Sequence, residues 1–360
     1  MWPKHNLQRL WNNTAQLNKL EKINFAFYPS IENDFIKYFP ADLSDDLNFG
    51  GIQPKLKFID YKTELSEADV LLTTAHGSDM SPYLWKIRQQ LKPSSVVVVW
   101  LWDNHLGHLN NLKTILMADY VFFSHDYIID YLYNPASLVI GFLPACSAQW
   151  SLKELGDIRT DTDLIINMKR SNQLLVNYVD YKTTWRTEVI SDLQKNMPEA
   201  DVLLMTMHDR KRYFNLDKIS RFKEWLNYKT TLILPVDKDL STRIFDALLA
   251  GLVPIIPERV VDLEKVISFD EQKKLGIVRI NDDFSVPTIR KALNLAIENF
   301  DNAGTDGIIF RQEYVMKNHL LRNRIYTAVM TTINLPEHTN IVPAIAAFNG
   351  TNAAVLAKKG

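Results

Sequence analysis

The sequence predicts an α/β fold with two parallel sheets, and two observations carry that prediction. Apolar strand-like runs alternate with helical runs along nearly the whole chain, which is typical of α/β proteins. The alternation forms two arrays of similar size, separated by a polar stretch at residues 144–161. A length of 360 residues also suits two domains. We therefore predict one domain over residues 1–150, a second over 160–310, and a helix with a tail over 311–360.

The individual elements follow from short apolar runs for strands and from helical spacing for helices. The first array contains six predicted strands, at 23–28, 57–61, 70–74, 96–102, 120–124 and 137–142. The second contains five, at 163–167, 201–206, 231–234, 253–256 and 277–280. Predicted helices include 83–91, 110–117, 184–195, 218–226, 286–299 and 312–331.

Composition narrows the class of protein. Apolar residues make up 46% of the chain and charged residues 23%, as in a soluble globular protein. A formal net charge of −1 argues against a dedicated nucleic-acid binder. The single cysteine, Cys146, excludes an intrachain disulfide and fits a reducing cytoplasm. We expect a cytoplasmic protein that associates with the inner face of the membrane peripherally at most, because no apolar run is long enough to span a bilayer.

The most informative segment is a strand–helix–strand unit over residues 230–257. Ser241 or Thr242 supplies a hydroxyl that caps the helix, because its oxygen accepts an otherwise unpaired N–H. Gly251 ends the helix with a residue that tolerates positive φ. The N–H groups at the helix start, the helix dipole and the Arg243 side chain together favour an anion such as a phosphate.

The same segment resembles the donor-binding segment of GT-B glycosyltransferases. Residues 241–255 read S-T-R-I-F-D-A-L-L-A-G-L-V-P-I, similar to the pattern S-x-R-x-F-[ED]-A-L-x-x-G-x-x-P-[VI] of exostosin-type, fucosyltransferase-type and spore-protein-like family 1 enzymes. The resemblance implies two Rossmann-like domains that face each other across a cleft, with a C-terminal helix crossing back to the first. It also implies a nucleotide-sugar donor bound by the second domain.

Specific roles come with this resemblance. Asp246 stands where those enzymes hold the ribose of the nucleotide, and the helix start lies near the donor phosphates. This chain departs from the pattern of one related group of enzymes. Retaining family 4-type enzymes carry two glutamates eight residues apart, whereas this chain has Lys238 and Asp246 at those positions. Their mechanism is therefore not carried over.

Polar residues follow the strands of both arrays, at the edge where parallel sheets bind ligands. In the first array these are acids and histidines that we assign to the acceptor side or to catalysis: His76, Asp79, Asp103, His105 and His125. In the second array they are cations, hydroxyls and acids that we assign to the donor: Lys169, Arg170, His208, Ser241, Thr242, Arg243, Asp246 and Glu258. Each of them also has a simpler interpretation as a turn former, a cap or a solvated charge.

Glycosyl transfer needs a base near the acceptor and a carboxylate near the anomeric carbon. Asp103 or His105 could serve as the base, and Asp237 or Asp239 as the carboxylate. An Asp nucleophile would permit a retaining reaction, similar to that of bacterial transferases acting on the cytidylate-activated sugar acid Kdo. No strong metal motif is present, so we expect neither a metal nor another cofactor.

Three hypotheses remain open on the sequence. The first is a glycosyltransferase that moves a sugar from a nucleotide donor to a glycan or lipid-linked acceptor, within a glycan-assembly system such as lipopolysaccharide or capsule biosynthesis. The second is a nucleotide-sugar epimerase or hydrolase. The third is a non-catalytic GT-B-like binding module. The absence of G-x-G-x-x-G and Walker-type loops from the sequence disfavours a nicotinamide dehydrogenase or a P-loop nucleotidase.

Overall fold

A computed structural model describes the greater part of the chain. The described residues are 4–29, 39–40, 43–44, 46–49, 55–77, 79–103, 107–127, 138–160, 170, 172–180, 185–206, 208–209 and 215–335. The chain divides into two compact units. Unit 1 comprises residues 1–36, 41–145 and 322–360, and unit 2 comprises residues 37–40 and 146–321. The chain thus enters unit 2 at Cys146 and returns to unit 1 at Arg322.

Unit 1 is built on a six-stranded parallel sheet with the strand order β2-β1-β3-β4-β5-β6. Its strands are β1 Lys22–Tyr28, β2 Lys55–Phe58, β3 Val70–Ala75, β4 Val96–Leu101, β5 Tyr120–Phe123 and β6 Leu138–Phe142. Its helices are α1 Lys4–Leu17, α2 Ser81–Arg88, α3 His108–Ile115 and nearly all of the last helix, α11, which spans Leu321–Ile333.

The centre of this sheet forms because its strands are apolar on both faces. Every residue of β3 and β4 is buried, as expected for a parallel sheet covered by helices. Acids at the strand starts fix the neighbouring backbone. Asp69 accepts a hydrogen bond from the N–H of Asn24 at 2.8 Å, and Asp119 accepts one from the N–H of Val97 at 2.8 Å.

Unit 2 contains a five-stranded parallel sheet with the order β11-β10-β9-β7-β8. The strands are β7 Asn172–Val179, β8 Asp201–Met205, β9 Tyr228–Leu232, β10 Val253–Pro257 and β11 Val278–Ile280. The helices are α4 Leu152–Thr160, α5 Trp185–Asn196, α6 Lys218–Leu226, α7 Thr242–Leu249, α8 Leu263–Val266, α9 Phe269–Leu275 and α10 Val286–Asn318.

The strand order of unit 2 defines a topological switch point. The chain lays down β7 first, adds β8 on one side, and then continues with β9, β10 and β11 on the other. In doubly wound sheets the crevice beyond the carboxyl ends of the strands, where the order reverses, is the preferred ligand site. In unit 2 that crevice lies between β7 and β9.

The predicted α/β class with two parallel sheets is confirmed, but several elements differ. Strand β7 was not predicted, and the strand predicted at 163–167 lies outside the described residues. The predicted helix over 312–331 is in fact two helices, because α10 ends at Asn318 and α11 begins at Leu321. Helices α1, α4 and α9 were also missed.

Gly251 closes helix α7 and offers a test of the packing there. Its φ is +78°, and a Cβ at this position would lie 2.6 Å from the Cγ2 atom of Ile308 and 3.2 Å from a guanidinium nitrogen of Arg170. We expect Gly251→Ala to lower the free energy of unfolding by about 2–4 kcal/mol, through positive-φ strain and overpacking.

Urea unfolding of this variant and of Gly156→Ala would measure the effect. Gly156 is the matched control because a Cβ added there meets nothing within 4 Å. Equal stabilities for the two variants would contradict the packing described for Gly251.

Candidate functional site

Helix α7 begins at the carboxyl edge of the unit-2 sheet, next to the switch point. Ser241 is its N-cap, with its Oγ accepting a hydrogen bond from the N–H of Arg243 at 3.3 Å, so the predicted cap is confirmed. The helix body from Ile244 to Leu249 is completely buried. Thr242 and Arg243 are half-buried at its first turn. The helix start is therefore held rigidly and presents its N-terminal N–H groups and dipole to this edge.

Arg243 is positioned by residues of β7 and α6. Its guanidinium lies 4.3 Å from the centre of the Tyr178 ring and 5.6 Å from that of Trp225. One of its nitrogens donates to Oδ1 of Asn177 at 2.7 Å. A guanidinium fixed on an aromatic face keeps further N–H groups in a planar fork, the geometry that suits a phosphate.

Tyr178 joins the two strands at the switch point. Its hydroxyl donates to the carbonyl of Leu232 at 2.9 Å and accepts from the N–H of Leu234 at 2.9 Å. These bonds set the direction in which the chain leaves β9. Burial raises the pKa of this phenol, so the hydroxyl keeps its proton and its donor role at neutral pH.

The loop after β9 carries the two acids predicted to be catalytic. Asp239 is buried, and its Oδ1 accepts a hydrogen bond from the N–H of Asp237 at 3.0 Å. Its carboxylate therefore shapes the loop. Asp237 and Lys238 are exposed. The loop leads directly into the Ser241 cap, so both acids lie within a few residues of the helix start.

Asp246 lies inside unit 2. It is 3% exposed, and its carboxylate accepts from the hydroxyl of Ser147 at 2.6 Å and from the amide of Gln149 at 3.0 Å. Arg221 in turn donates to the Gln149 carbonyl oxygen at 3.1 Å. This network accounts for the burial of the carboxylate, and the ribose contact that the resemblance implied stays a prediction.

Burial raises the pKa of Asp246 to about 6, although the bonds from Ser147 and Gln149 act in the opposite direction. An acid whose pKa is higher in the folded than in the unfolded state binds its proton more tightly when folded. The contribution of Asp246 to the free energy of unfolding should therefore fall as pH rises from about 4 to about 6, by about 3 kcal/mol, and stay level above that range.

Asp246→Asn removes this ionisation, and the Ser147 hydroxyl can reverse to accept from the new amide. We expect the variant to be more stable than wild type at pH 7 and to lose that advantage near pH 4. Urea unfolding across this pH range would measure the difference. A constant difference between the two proteins at all pH values would contradict the raised pKa.

A second cation lies at the same edge of the sheet, after β10. The Arg259 guanidinium is 4.2 Å from the Trp185 ring centre and 5.2 Å from that of Phe284. Its Nε lies 3.1 Å from a carboxylate oxygen of Asp282. Glu258, predicted to contact the donor, is the exposed neighbour of this arginine. Trp185 and Phe284 were not predicted from the sequence. The signal that could have indicated them is their position at the starts of two helices.

Arg170 is not at the carboxyl edge. It was predicted to follow a strand at 163–167, which lies outside the described residues, and it precedes β7. Its guanidinium is buried and donates to the carbonyls of Tyr228 at 2.9 Å and Ala250 at 2.8 Å. It therefore supports the C-terminal end of α7. Lys169 lies outside the described residues, and His208 is exposed after β8.

The acceptor-side residues follow β3, β4 and β5, which are neighbours in the unit-1 sheet. His76 is buried, its ring lies 4.9 Å from that of Trp102, and burial lowers its pKa to about 3. It is therefore neutral at pH 7. His125 is also buried.

The acids at this edge of unit 1 make local contacts, and His105 lies outside the described residues. Asp79 accepts from the N–H of Ser81 at 3.0 Å and lies 3.4 Å from the ammonium group of Lys113. Asp103 is half-buried, and its backbone carbonyl accepts from the Asn111 amide at 3.2 Å.

The residues that the structure describes contain neither a cluster of metal ligands nor a membrane-spanning helix. Within that part of the chain, no group of three or more His, Cys, Asp or Glu side chains is placed to hold a metal ion. No helix in the same residues is long and apolar enough to cross a membrane.

Comparison with known proteins finds similarity only among solved structures. No protein-family model matches the sequence, and no curated protein matches it. Sucrose-phosphate synthase from Thermosynechococcus elongatus is 10% identical with a TM-score of 0.49, over 86% of this chain and 97% of that one. The catalytic domain of starch synthase IV from Arabidopsis thaliana is 10% identical with a TM-score of 0.40, over 74% and 73% of the two chains. The wall teichoic acid polymerase TagF is 12% identical with a TM-score of 0.35, over 90% and 93%.

These structures are GT-B glycosyltransferases, the class that residues 241–255 resemble. With TM-scores of 0.35 to 0.49, the matches carry no argument about function.

Proposed function

We propose that this protein is a glycosyltransferase that binds a nucleotide-activated sugar at the switch point of unit 2. The observation that carries the proposal is the start of helix α7. There a capped helix N-terminus and a guanidinium fixed on Tyr178 lie together at the crevice between β7 and β9. A helix N-terminus and a planar cation are the two groups that best stabilise a phosphate.

The proposed chemistry assigns each part of this edge a role. The α7 start and Arg243 stabilise the negative charge that develops on the leaving phosphate. Thr242 adds a hydroxyl, and Arg259 with its aromatic neighbours is a second cation farther along the edge. Asp237 or Asp239 supplies the carboxylate next to the sugar. Of the two, Asp237 is the exposed one.

The finer parts of the proposal concern the acceptor and the pathway. We propose that the acceptor is a glycan or lipid-linked glycan of bacterial surface polysaccharide, and that His76, Asp79, Asp103, His105 and His125 of unit 1 serve the acceptor side. A donor such as cytidylate-activated Kdo, transferred with retention through an Asp nucleophile, would use the loop after β9. The reaction is proposed to need no metal, because the Arg and N–H donors can stabilise the phosphate charge themselves.

Nucleotide-dependent thermal stabilisation tests the proposal first. We expect one of uridine, guanosine, cytidine or adenosine diphosphate, or cytidine monophosphate, to raise the melting temperature in the absence of divalent metal. The matching nucleotide sugar should then be hydrolysed slowly without acceptor. Failure of every nucleotide to stabilise the protein would reject the donor site. Stabilisation without any turnover, with or without glycan acceptors, would favour a binding module instead.

A further inference from the structure

A cavity at the opposite edge of the unit-1 sheet has no part in the proposed transfer reaction. Its volume is about 300 Å³, and Arg9, Trp85, Arg88, Leu116 and Asp119 are among its lining residues. Asp119 comes directly before β5, so the cavity opens at the amino ends of the strands. The proposed acceptor residues follow the carboxyl ends of the same sheet.

The cavity is cationic. Arg9 contacts one oxygen of Asp119 at 2.9 Å, and Arg88 contacts the other at 3.0 Å. Arg88 also donates to the carbonyl of Met117 at 2.7 Å. Among the described residues, these two guanidinium groups thus share one carboxylate, which is itself buried. The Arg9 and Arg88 side chains stay partly exposed, and the cluster has a net positive charge.

Large apolar side chains surround this charge and face solvent. Trp85 is 60% exposed, Leu116 is 53% exposed and Leu109 is 76% exposed. Leu109 lies in the first turn of α3, and Leu116, seven residues later, is the C-cap of the same helix. Trp85 and Leu116 line the same cavity. Exposed apolar side chains that adjoin one cavity indicate an interaction surface.

The sequences of the three helices that contribute to this region carry no acid. Helices α1, α2 and α3 together hold Lys4, Arg9, Lys86, Arg88 and Lys113 but not one Asp or Glu. Acids make up 42 of the 360 residues of the chain, so the thirty residues of these helices would hold about three at the average frequency. Lys86 is exposed next to Trp85. These three helices are selectively basic although the whole chain is nearly neutral.

We propose that this face of unit 1 docks on an anionic lipid bilayer. Trp and Leu side chains enter the boundary between headgroups and acyl chains, while neighbouring Arg and Lys side chains contact lipid phosphates. Charge complementarity selects this occupant, because exposed Trp85 and Leu116 adjoin Arg9 and Arg88, and the acid that these two arginines share, Asp119, is buried. The proposal is independent of the transferase assignment, since it uses none of the residues proposed for the reaction.

Flotation of the full chain with lipid vesicles tests the proposal. We expect the protein to float with phosphatidylcholine vesicles that contain phosphatidylglycerol and to be released from them by high salt. With vesicles of phosphatidylcholine alone it should remain in the bottom fraction. Lys86→Glu should weaken binding about 30-fold, because it changes the surface charge by two units. Trp85→Ser combined with Leu116→Ser should weaken it about tenfold or more.

Matched controls distinguish binding through this surface from nonspecific adsorption to lipid. Phe269→Ser removes a similarly exposed aromatic residue from unit 2, and Lys291→Glu reverses an exposed charge there. Both should float like wild type, and melting temperatures report whether each variant folds. No binding of wild type to phosphatidylglycerol vesicles would overturn the proposal, as would equal losses in the test and control variants. A wild-type dimer that Trp85→Ser dissociates would assign the face to a second copy of the chain and also overturn it.

Discussion

Arg243→Ala is expected to lower kcat/KM for the nucleotide-sugar donor by about 100-fold and to abolish nucleotide-dependent thermal stabilisation. The variant loses a charge-assisted bond that is fixed before the donor arrives, and such bonds contribute about 1.5–3 kcal/mol. The bond from Arg243 to Asn177 and the stacking on Tyr178 show that the guanidinium is already ordered. Steady-state kinetics with the stabilising donor would measure the loss.

A matched control for Arg243 is available on the surface of the same unit. Arg290 forms an exposed ion pair with Glu199 at 2.8 Å, and exposed pairs contribute little. Arg290→Ala should therefore leave kcat/KM within about twofold of wild type. Arg243→Lys should retain part of the binding, because it keeps the charge but loses the planar fork. Full activity in Arg243→Ala would remove this residue from the donor site.

Asp237→Asn is expected to reduce kcat by about 1000-fold while leaving nucleotide binding intact. A carboxylate that interacts with the anomeric centre only in the transition state contributes to kcat rather than to donor affinity. Asp237 is the exposed acid of the loop that enters the α7 cap. Single-turnover rates and nucleotide titrations of the same variant would separate the two effects.

The neighbouring Asp239 provides the comparison. Its carboxylate holds the loop by accepting from the N–H of Asp237, and an asparagine can accept the same bond. Asp239→Asn should therefore keep the loop conformation and much of the activity. Asp239→Ala should partly lose the loop conformation and partly lose the activity. If Asp239→Asn loses most of its kcat while Asp237→Asn stays active, then Asp239 is the catalytic carboxylate and Asp237 is not.

The structural features that could be predicted from the sequence are those that local patterns determine. The segment at 230–257 carries its own cap at Ser241 and its own positive-φ residue at Gly251, and both occur as predicted. Strand β4 is a continuous apolar run, and β3 begins with one, so both strands could be predicted. The two-sheet class follows from the same alternation.

The parts that sequence missed depend on contacts between distant residues. Strand β7 has polar residues at its start and Asn177 within it, which hid the apolar run Leu174–Val176. Tyr178 meets Arg243, and Trp185 meets Phe284, across 65 and 99 residues of chain, and no short pattern records such pairs. Asp246 lies on a helix whose body is buried on every side, so helical spacing alone could not show that it faces inward.

Amide hydrogen exchange, measured with and without the most stabilising nucleotide, tests the central claim most directly. If the donor binds at the switch point, exchange should slow in residues 235–247 and at the end of β7, and Arg243→Ala should abolish that protection. The claim would be contradicted if the nucleotide stabilises the protein but slows exchange only outside residues 235–247.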